Sequence, residues 1–206
     1  MHLLLTGFEP FGGSTINPSA EAIQLLRRRP ISGIRLTTLI LPVVGGVAAA
    51  KLVAAIAGER PDAVISLGES GLATGITLER LAVNLRDYRI ADNAGGVVAD
   101  EPVAAGGPAA YFSTLPLRRI LSAVHAVGVP AELSMSAGTF LCNEVMYATL
   151  HHIAERNLGI PSGFIHVPQL PEQVVAAGRG RPSMGLPTLV TGLEAAIAAL
   201  VAGELA

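Results

Sequence analysis

A repeated unit constrains this chain more than any other feature: a short uncharged apolar run, a turn rich in Gly or Pro, and then a run with helical apolar periodicity. Residues 2–6 read as a buried strand that the following GFEPFGG cannot continue. Asn17 and Ser19 then offer capping oxygens ahead of Ala20, Ile23, Leu25 and Leu26, and Pro30 closes the predicted helix. Residues 34–43 and 47–57 repeat the unit, and 63–67 begins it again before a Gly-rich turn. Strands in such units are buried on both faces, which requires a mostly parallel sheet covered by helices on each side. Half of the residues are hydrophobic and 15% are charged, as that architecture demands. The expected fold class is therefore α/β, with a twisted, mostly parallel central sheet. No Pro/Ser-rich or charge-rich stretch divides the chain, so residues 1–206 read as a single domain.

Further along, 76–87 alternates as one strand, and 92–108, with Gly95, Gly96, Gly106 and Gly107, reads as a long loop. A helix over 116–127, a strand over 131–136, a helix beginning near Phe140, a strand over 163–167 and an Ala-rich terminal helix follow. The Pro- and Gly-rich stretch 168–187 has little periodicity and reads as a flap or rim.

Several partner classes drop out on composition. The net charge of -2, with Lys51 the only lysine among fourteen cations, offers no basic surface to nucleic acid. The opening MHLLLTGFEP has neither the basic flank nor the cleavage site of a signal peptide, which points to the cytoplasm. The longest uncharged apolar stretch, 36–50, is broken by Pro42 and Gly45–Gly46 and is shorter than the ~20 residues that span a bilayer, so no membrane is expected. Cys142 is the sole cysteine, which excludes an intrachain disulfide and a multi-cysteine zinc site. Its value lies in packing or in chemistry.

Position favours chemistry. Cys142 follows a strand, a small-residue turn (Ala137, Gly138, Thr139) and the first residues of a helix. Backbone N–H groups and the helix dipole there favour a thiolate and can receive an oxyanion. A thiolate nucleophile needs a base, and the histidines separate by placement. His151 and His152 lie on the helix of Cys142 but about 14 Å along its axis, at about 1.5 Å per residue. His125 sits within the predicted helix LRRILSAVHAV as a partly buried structural group, and His2 stands at the chain start. His166 ends the strand GFIHVP, where α/β folds gather catalytic groups. Two successive strands joined by a crossover helix would bring Cys142 and His166 to one edge of the sheet. Spacing does not select an orienting carboxylate, and Glu69, Glu79, Asp87, Asp92 and Glu144 all remain open. Two decoys fail: LGESGL lacks the second glycine of the serine nucleophile elbow, and GFEPFGG matches no phosphate-binding loop and has no following lysine.

Four segments carry a resemblance. TGFEPFGGSTINPS (6–19), ITLERLAVNLRDYRIADNAG (76–95), SAGTFLCNEVMY (136–147) and GFIHVPQLPEQ (163–173) resemble the signature segments of pyroglutamyl peptidase I, in family order and at family spacing. The resemblance implies a cysteine exopeptidase that removes N-terminal pyroglutamyl residues from peptides, through a triad of Cys142, His166 and Glu79. It also implies that Arg89 and the Cys142 N–H face the developing oxyanion. The pyroglutamyl ring would pack among Phe8, Phe11 and Phe140, with Leu141 and Glu69 completing its site, and a flat uncharged lactam suits such a clamp. No metal or cofactor is expected. The expected partners are pyroglutamyl peptides and further copies of the chain, as a dimer or tetramer. Glu69 and Ser70 stand where the family pattern leads one to expect Gln and Ala, and Ala91 replaces a proline. The rival class is a non-catalytic α/β module that recognises cyclic amides, with Cys142 as packing.

Overall fold

The first strand shows why the layers assemble as they do. In the computed structural model, which describes residues 1–178 and 180–201, β1 (His2–Phe8) is buried along its whole length. Leu3 and Leu5 enter one apolar cluster while Leu4 and Phe8 enter another, because successive side chains of a strand point to opposite faces. Both faces therefore need helical cover, and each fully buried Leu contributes about 1.5–3 kcal/mol relative to exposure.

The cover comes from the repeated unit. Asn17 caps α1 (Pro18–Leu26) by accepting from Ser19 N, with Pro18 pre-setting the first turn. Next come β2 (Arg35–Leu41), α2 (Val47–Glu59) and β3 (Ala63–Glu69), and β1 pairs in parallel with both β2 and β3. After the long central segment the chain forms α3 (Leu117–Ala126), β7 (Ala131–Ser134), α4 (Leu141–Glu155), β8 (Ser162–Val167), α5 (Pro171–Ala176) and α6 (Leu186–Val201). Residues of α1, α3 and α6 fill one apolar cluster, and those of α2 and α4 fill the other. With β4 (Ile76–Glu79), the central sheet runs β2-β1-β3-β8-β4-β7. Its pairings are parallel except β4–β8. The α/β class, the mostly parallel sheet and the helices on both faces are as the sequence led one to expect.

Three local readings need correction. The alternating run 76–87 is not one strand. It splits at Arg80 into β4 and β5 (Leu81–Val83), and β5 pairs instead with β6 (Ala110–Phe112) in a separate two-stranded sheet. The cause is a long-range acceptor and donor, since Asn143 of α4 binds Val83 N, Val83 O and Leu85 O and so draws the backbone beyond Arg80 off the central sheet. The stretch 168–187 is not bare of structure either. It contains α5, fastened by Gln173, which accepts from Leu170 N and donates to Ser14 Oγ and Ile16 O. Finally, β7 and β8 are not neighbours joined by a parallel crossover. β4 lies between them, parallel to β7 and antiparallel to β8. Among the described residues, no helix is long and apolar enough to cross a membrane.

Candidate active site

Strand parity decides which side chains can meet. In β3 and β8, Val64 and Phe164 belong to the apolar cluster under α2 and α4, so Gly68 and His166, an even number of residues further on, face α4 as well. Gly68 pairs with His166 across the parallel ladder. On the other side of β8, Thr77 lies opposite His166 and Glu79 opposite Phe164. Glu79 is thus the diagonal neighbour of His166 on the same face, within reach of a long side chain.

Contact follows from that register. His166 Nδ1 and Glu79 Oε1 are 2.8 Å apart, with Glu79 2% and His166 8% exposed. The other carboxylate oxygen, Oε2, has no hydrogen-bond partner among the described residues. Cys142, in the first turn of α4, sits over Gly68, the residue paired with His166. A Cβ at Gly68 would lie 2.9 Å from Cys142 Sγ and 2.6 Å from the Phe164 ring. Burial works against a charge on His166, but the charge and hydrogen bond of Cys142, followed by those of Glu79, outweigh it and push the pKa from 6.5 up to about 10. The imidazole is thereby held toward its cationic form, with Cys142 and Glu79 as the two groups that favour the charge. Glu144 N donates to Phe140 O, whereas among the described residues the N–H groups of Leu141, Cys142 and Asn143 before it have no backbone acceptor and can receive an oxyanion.

The five open carboxylates each have an observed place. Glu69 accepts from Gln169 Nε2 at 2.7 Å and from Gln173 Nε2 at 3.0 Å. Asp87 is exposed. Asp92 is cradled by the N–H groups of Gly45, Ala94 and Gly96, and that backbone cradle, led by Gly45, holds its carboxyl below the usual range. Glu144 accepts from Gly46 N at 2.6 Å and from the Tyr88 hydroxyl. Glu79 alone of the five bonds a histidine.

Three of the other four histidines bond groups elsewhere, and His152 lines a separate cavity. His2 meets Arg35 Nη2 at 2.6 Å and Thr37 Oγ1 at 2.9 Å, and His151 Nδ1 meets the Tyr111 hydroxyl at 2.9 Å. His125 is exposed, not partly buried, and its Nε2 donates to Ala131 O at 2.8 Å.

Beside the sulfur lies a small cleft lined by Phe8, Phe11, Asn17, Val43, Glu69, Phe140, Leu141 and Cys142. It contains all the aromatic residues that the resemblance nominated. Phe8 does not fall beyond the first strand, as the reading of GFEPFGG led one to expect; it ends β1, paired with Leu41, and is 3% exposed. Phe11 and Phe140 face one another with ring centroids 6.2 Å apart. Arg89 is exposed, and no hydrogen bond draws it to the cleft among the described residues. A much larger cavity of about 630 Å³, lined by Ile56, Arg60, His152 and Arg156 among others, holds none of these groups. Chemistry, not size, marks the candidate site. Sequence reasoning missed Gly68, Tyr88, Gln169 and Gln173, whose roles depend on contacts with segments far away in the chain. For Gly68 alone a local signal existed, the glycine in the turn LGES.

Among the described residues, no cluster of His, Cys, Asp and Glu could hold a metal ion. Comparison with known proteins gives one consistent result. Residues 1–202 match the family described as pyroglutamyl peptidase. Pyrrolidone-carboxylate peptidase of Vibrio vulnificus strain CMCP6 is 48% identical over 192 residues, covering 93% of this chain and 89% of the relative. The Treponema denticola protein of the same name is 47% identical over 204 residues, covering 98% and 94%. Among solved structures, pyroglutamyl peptidase I of Bacillus amyloliquefaciens superposes with a TM-score of 0.94 at 38% identity, covering 98% of each chain. A variant of pyrrolidone carboxyl peptidase from the hyperthermophile Pyrococcus furiosus gives 0.94 at 41% identity, covering 100% of each. With residues 1–202 of the chain matched to the family, and relatives this similar over about nine-tenths of their length, the chain belongs to the pyroglutamyl peptidase family.

Proposed function

We propose that this protein is a cysteine exopeptidase that hydrolyses the amide bond after an N-terminal pyroglutamyl residue, with Cys142 as nucleophile, His166 as acid and base, and Glu79 as the group that orients His166. The observation that supports it most is the Cys142–His166–Glu79 chain at the lip of an aromatic cleft. The Cys142 thiolate attacks the pyroglutamyl carbonyl carbon and a C–S bond forms. The oxyanion is received by the Cys142 N–H, and Arg89 is assigned as a second donor on the resemblance alone. As the C–N bond breaks, His166 passes its proton to the leaving amine. His166 then takes a proton from water, whose oxygen displaces the thiolate and releases pyroglutamate. The steps as written call for no metal or cofactor.

Release of a fluorescent amine from its pyroglutamyl derivative tests the reading. Turnover that is lost on stoichiometric alkylation of Cys142 is the expected result. No turnover, with a Cys142 thiol that reacts slowly, would leave only a binding module. We treat residues 1–206 as one catalytic unit. The need to keep a lone thiolate reduced supports the cytoplasm. Exposed Phe112 and Val97 support self-association as a dimer or tetramer, which light scattering would measure directly.

Two further outcomes follow from the geometry. Because His166 must be cationic to protonate the amine, kcat/KM should fall as pH rises through about 10. Its folded pKa is raised above 6.5, so its contribution to stability is complete below that value and is lost over the same rise toward about 10. Glu79→Gln keeps an acceptor for Nδ1 but removes a charge that helps to raise this pKa, so the alkaline limb should move to lower pH. Activity should fall by ~10²–10⁴-fold without vanishing, since an orienting group acts through the imidazole. An unmoved limb would remove Glu79 from this role. Gly68→Ala should push the sulfur aside, lowering kcat/KM at least ~10-fold and stability by about 1–3 kcal/mol, the usual cost of overpacking. Unchanged kinetics would show that the contact does not constrain the nucleophile.

A further inference from the structure

Phe140 has two duties, as a wall of the aromatic cleft and as the residue that opens α4 immediately before Leu141 and Cys142. Its side chain caps nothing, so something else must fix it. The Tyr88 ring packs edge-on against Phe140, with centroids 4.9 Å apart and planes at 78°. Tyr88 is 5% exposed, and its hydroxyl donates to Glu144 Oε2. Glu144 is 2% exposed, stands in the first turn of α4 and uses Oε1 to accept from Gly46 N at 2.6 Å. No cation pairs with it among the described residues. Burial, followed by the Glu144 hydrogen bond, raises the Tyr88 pKa well above its ordinary value, which keeps the hydroxyl a donor.

The surroundings leave this pair little freedom. A Cβ at Gly45 would lie 2.5 Å from the Tyr88 hydroxyl, so the Gly45–Gly46 turn is packed directly on it. Asp92 holds the same turn from its other side through Gly45 N at 2.8 Å. Asp87 N donates to Thr139 O and Thr139 Oγ1 donates to Asp87 O, which joins the chain beside Tyr88 to the chain beside Phe140. A buried carboxylate that two hydrogen bonds must keep satisfied is a poor way to add stability, and an apolar pair of the same shape would fill this space without desolvating a charge. What the polar pair adds is direction: it sets where the Tyr88 ring stands, and that ring sets where Phe140 stands.

Resting on the aromatic-clamp reading above, we propose that the Tyr88–Glu144 hydrogen bond positions the Phe140 wall, making Tyr88 and Glu144 positioning residues that set how tightly the pyroglutamyl ring is held. Neither touches the reacting atoms, so the effect belongs in binding of the ring and not in the reactivity of the sulfur.

The test uses Tyr88→Phe, which keeps the packing ring and loses the hydroxyl, and Glu144→Leu, which loses the acceptor. Each should raise KM for a pyroglutamyl amide and Ki for 2-pyrrolidone together, by about 10-fold. kcat should stay within about threefold, and the rate of Cys142 alkylation by iodoacetamide should match that of the wild type. Glu144→Gln can still accept from Gly46 N and bond the phenol, and should restore KM and Ki to within about threefold of the wild type. Tyr88→Phe/Glu144→Leu leaves no orphaned carboxylate and should show the KM of either single variant, not their product; it serves if Tyr88→Phe alone folds poorly. Lowered Tm with unchanged KM and Ki would make the pair merely structural and overturn the proposal. A wild-type protein that binds no 2-pyrrolidone would instead refute the clamp itself, and this inference with it.

Discussion

Cys142→Ser should lower kcat for a pyroglutamyl amide by ~10⁴-fold or more, the scale seen when a nucleophile is removed from a constellation that works as a unit. The alcohol is nearly the size of the thiol, and the half-buried site over Gly68 accepts it without new contacts, so thermal stability should change little. It is also far less acidic, and so cannot raise the imidazole pKa as Cys142 does. His166→Ala should cost nearly as much, because attack and amine departure both pass through that ring. Retained turnover in Cys142→Ser would remove Cys142 as nucleophile. Equal loss in His125→Ala would contradict its placement, 2.8 Å from Ala131 O and away from the cleft.

The second large effect is discrimination at the amino terminus. Peptides beginning with pyroglutamate should be cleaved, and the same peptides beginning with Gln or Glu should fall behind by ~100-fold or more in kcat/KM. An ammonium carried in among Phe8, Phe11 and Phe140 would be an unpaired charge removed from water, which costs several kcal/mol, and each 1.4 kcal/mol is tenfold. Glu69 is the one lining group that could pair with it. Both its carboxylate oxygens already accept from side-chain amides, Gln169 on one and Gln173 on the other, so its charge is satisfied away from an incoming amine. Glu69→Gln should therefore leave the discrimination intact. Comparable kcat/KM for the three substrates would sink the clamp, and a separation that appears only in Glu69→Gln would locate the fault at that carboxylate.

What was legible in the sequence was local. An apolar run bounded by Gly and Pro is a strand wherever it lies, so the α/β class could be read from 2–69 before any contact was known. Cys142 at a helix start and His166 at a strand end are also local facts, since helix N-termini and strand ends carry their chemistry with them. Even there the route was misread: parallel crossover was expected, whereas β4 runs between β7 and β8 and reverses the direction from one to the other.

The tertiary structure decided what depends on pairing between distant segments. Spacing left five carboxylates open and the resemblance alone named Glu79, whereas the antiparallel register that puts Thr77 opposite His166 is what brings Glu79, 87 residues away, onto the imidazole. Glu69 meets its glutamines across 100 and 104 residues, and Tyr88 meets Glu144 across 56. No periodicity records such meetings, because a strand's pattern specifies which face a side chain takes but not which strand lies beside it. The sequence by itself determined the kinds of element and the chemical types available at their ends. The packing of β4 against β8, and of α4 and α5 over the sheet, decided which of those groups touch, since register is set by the whole buried face and not by any one residue of it.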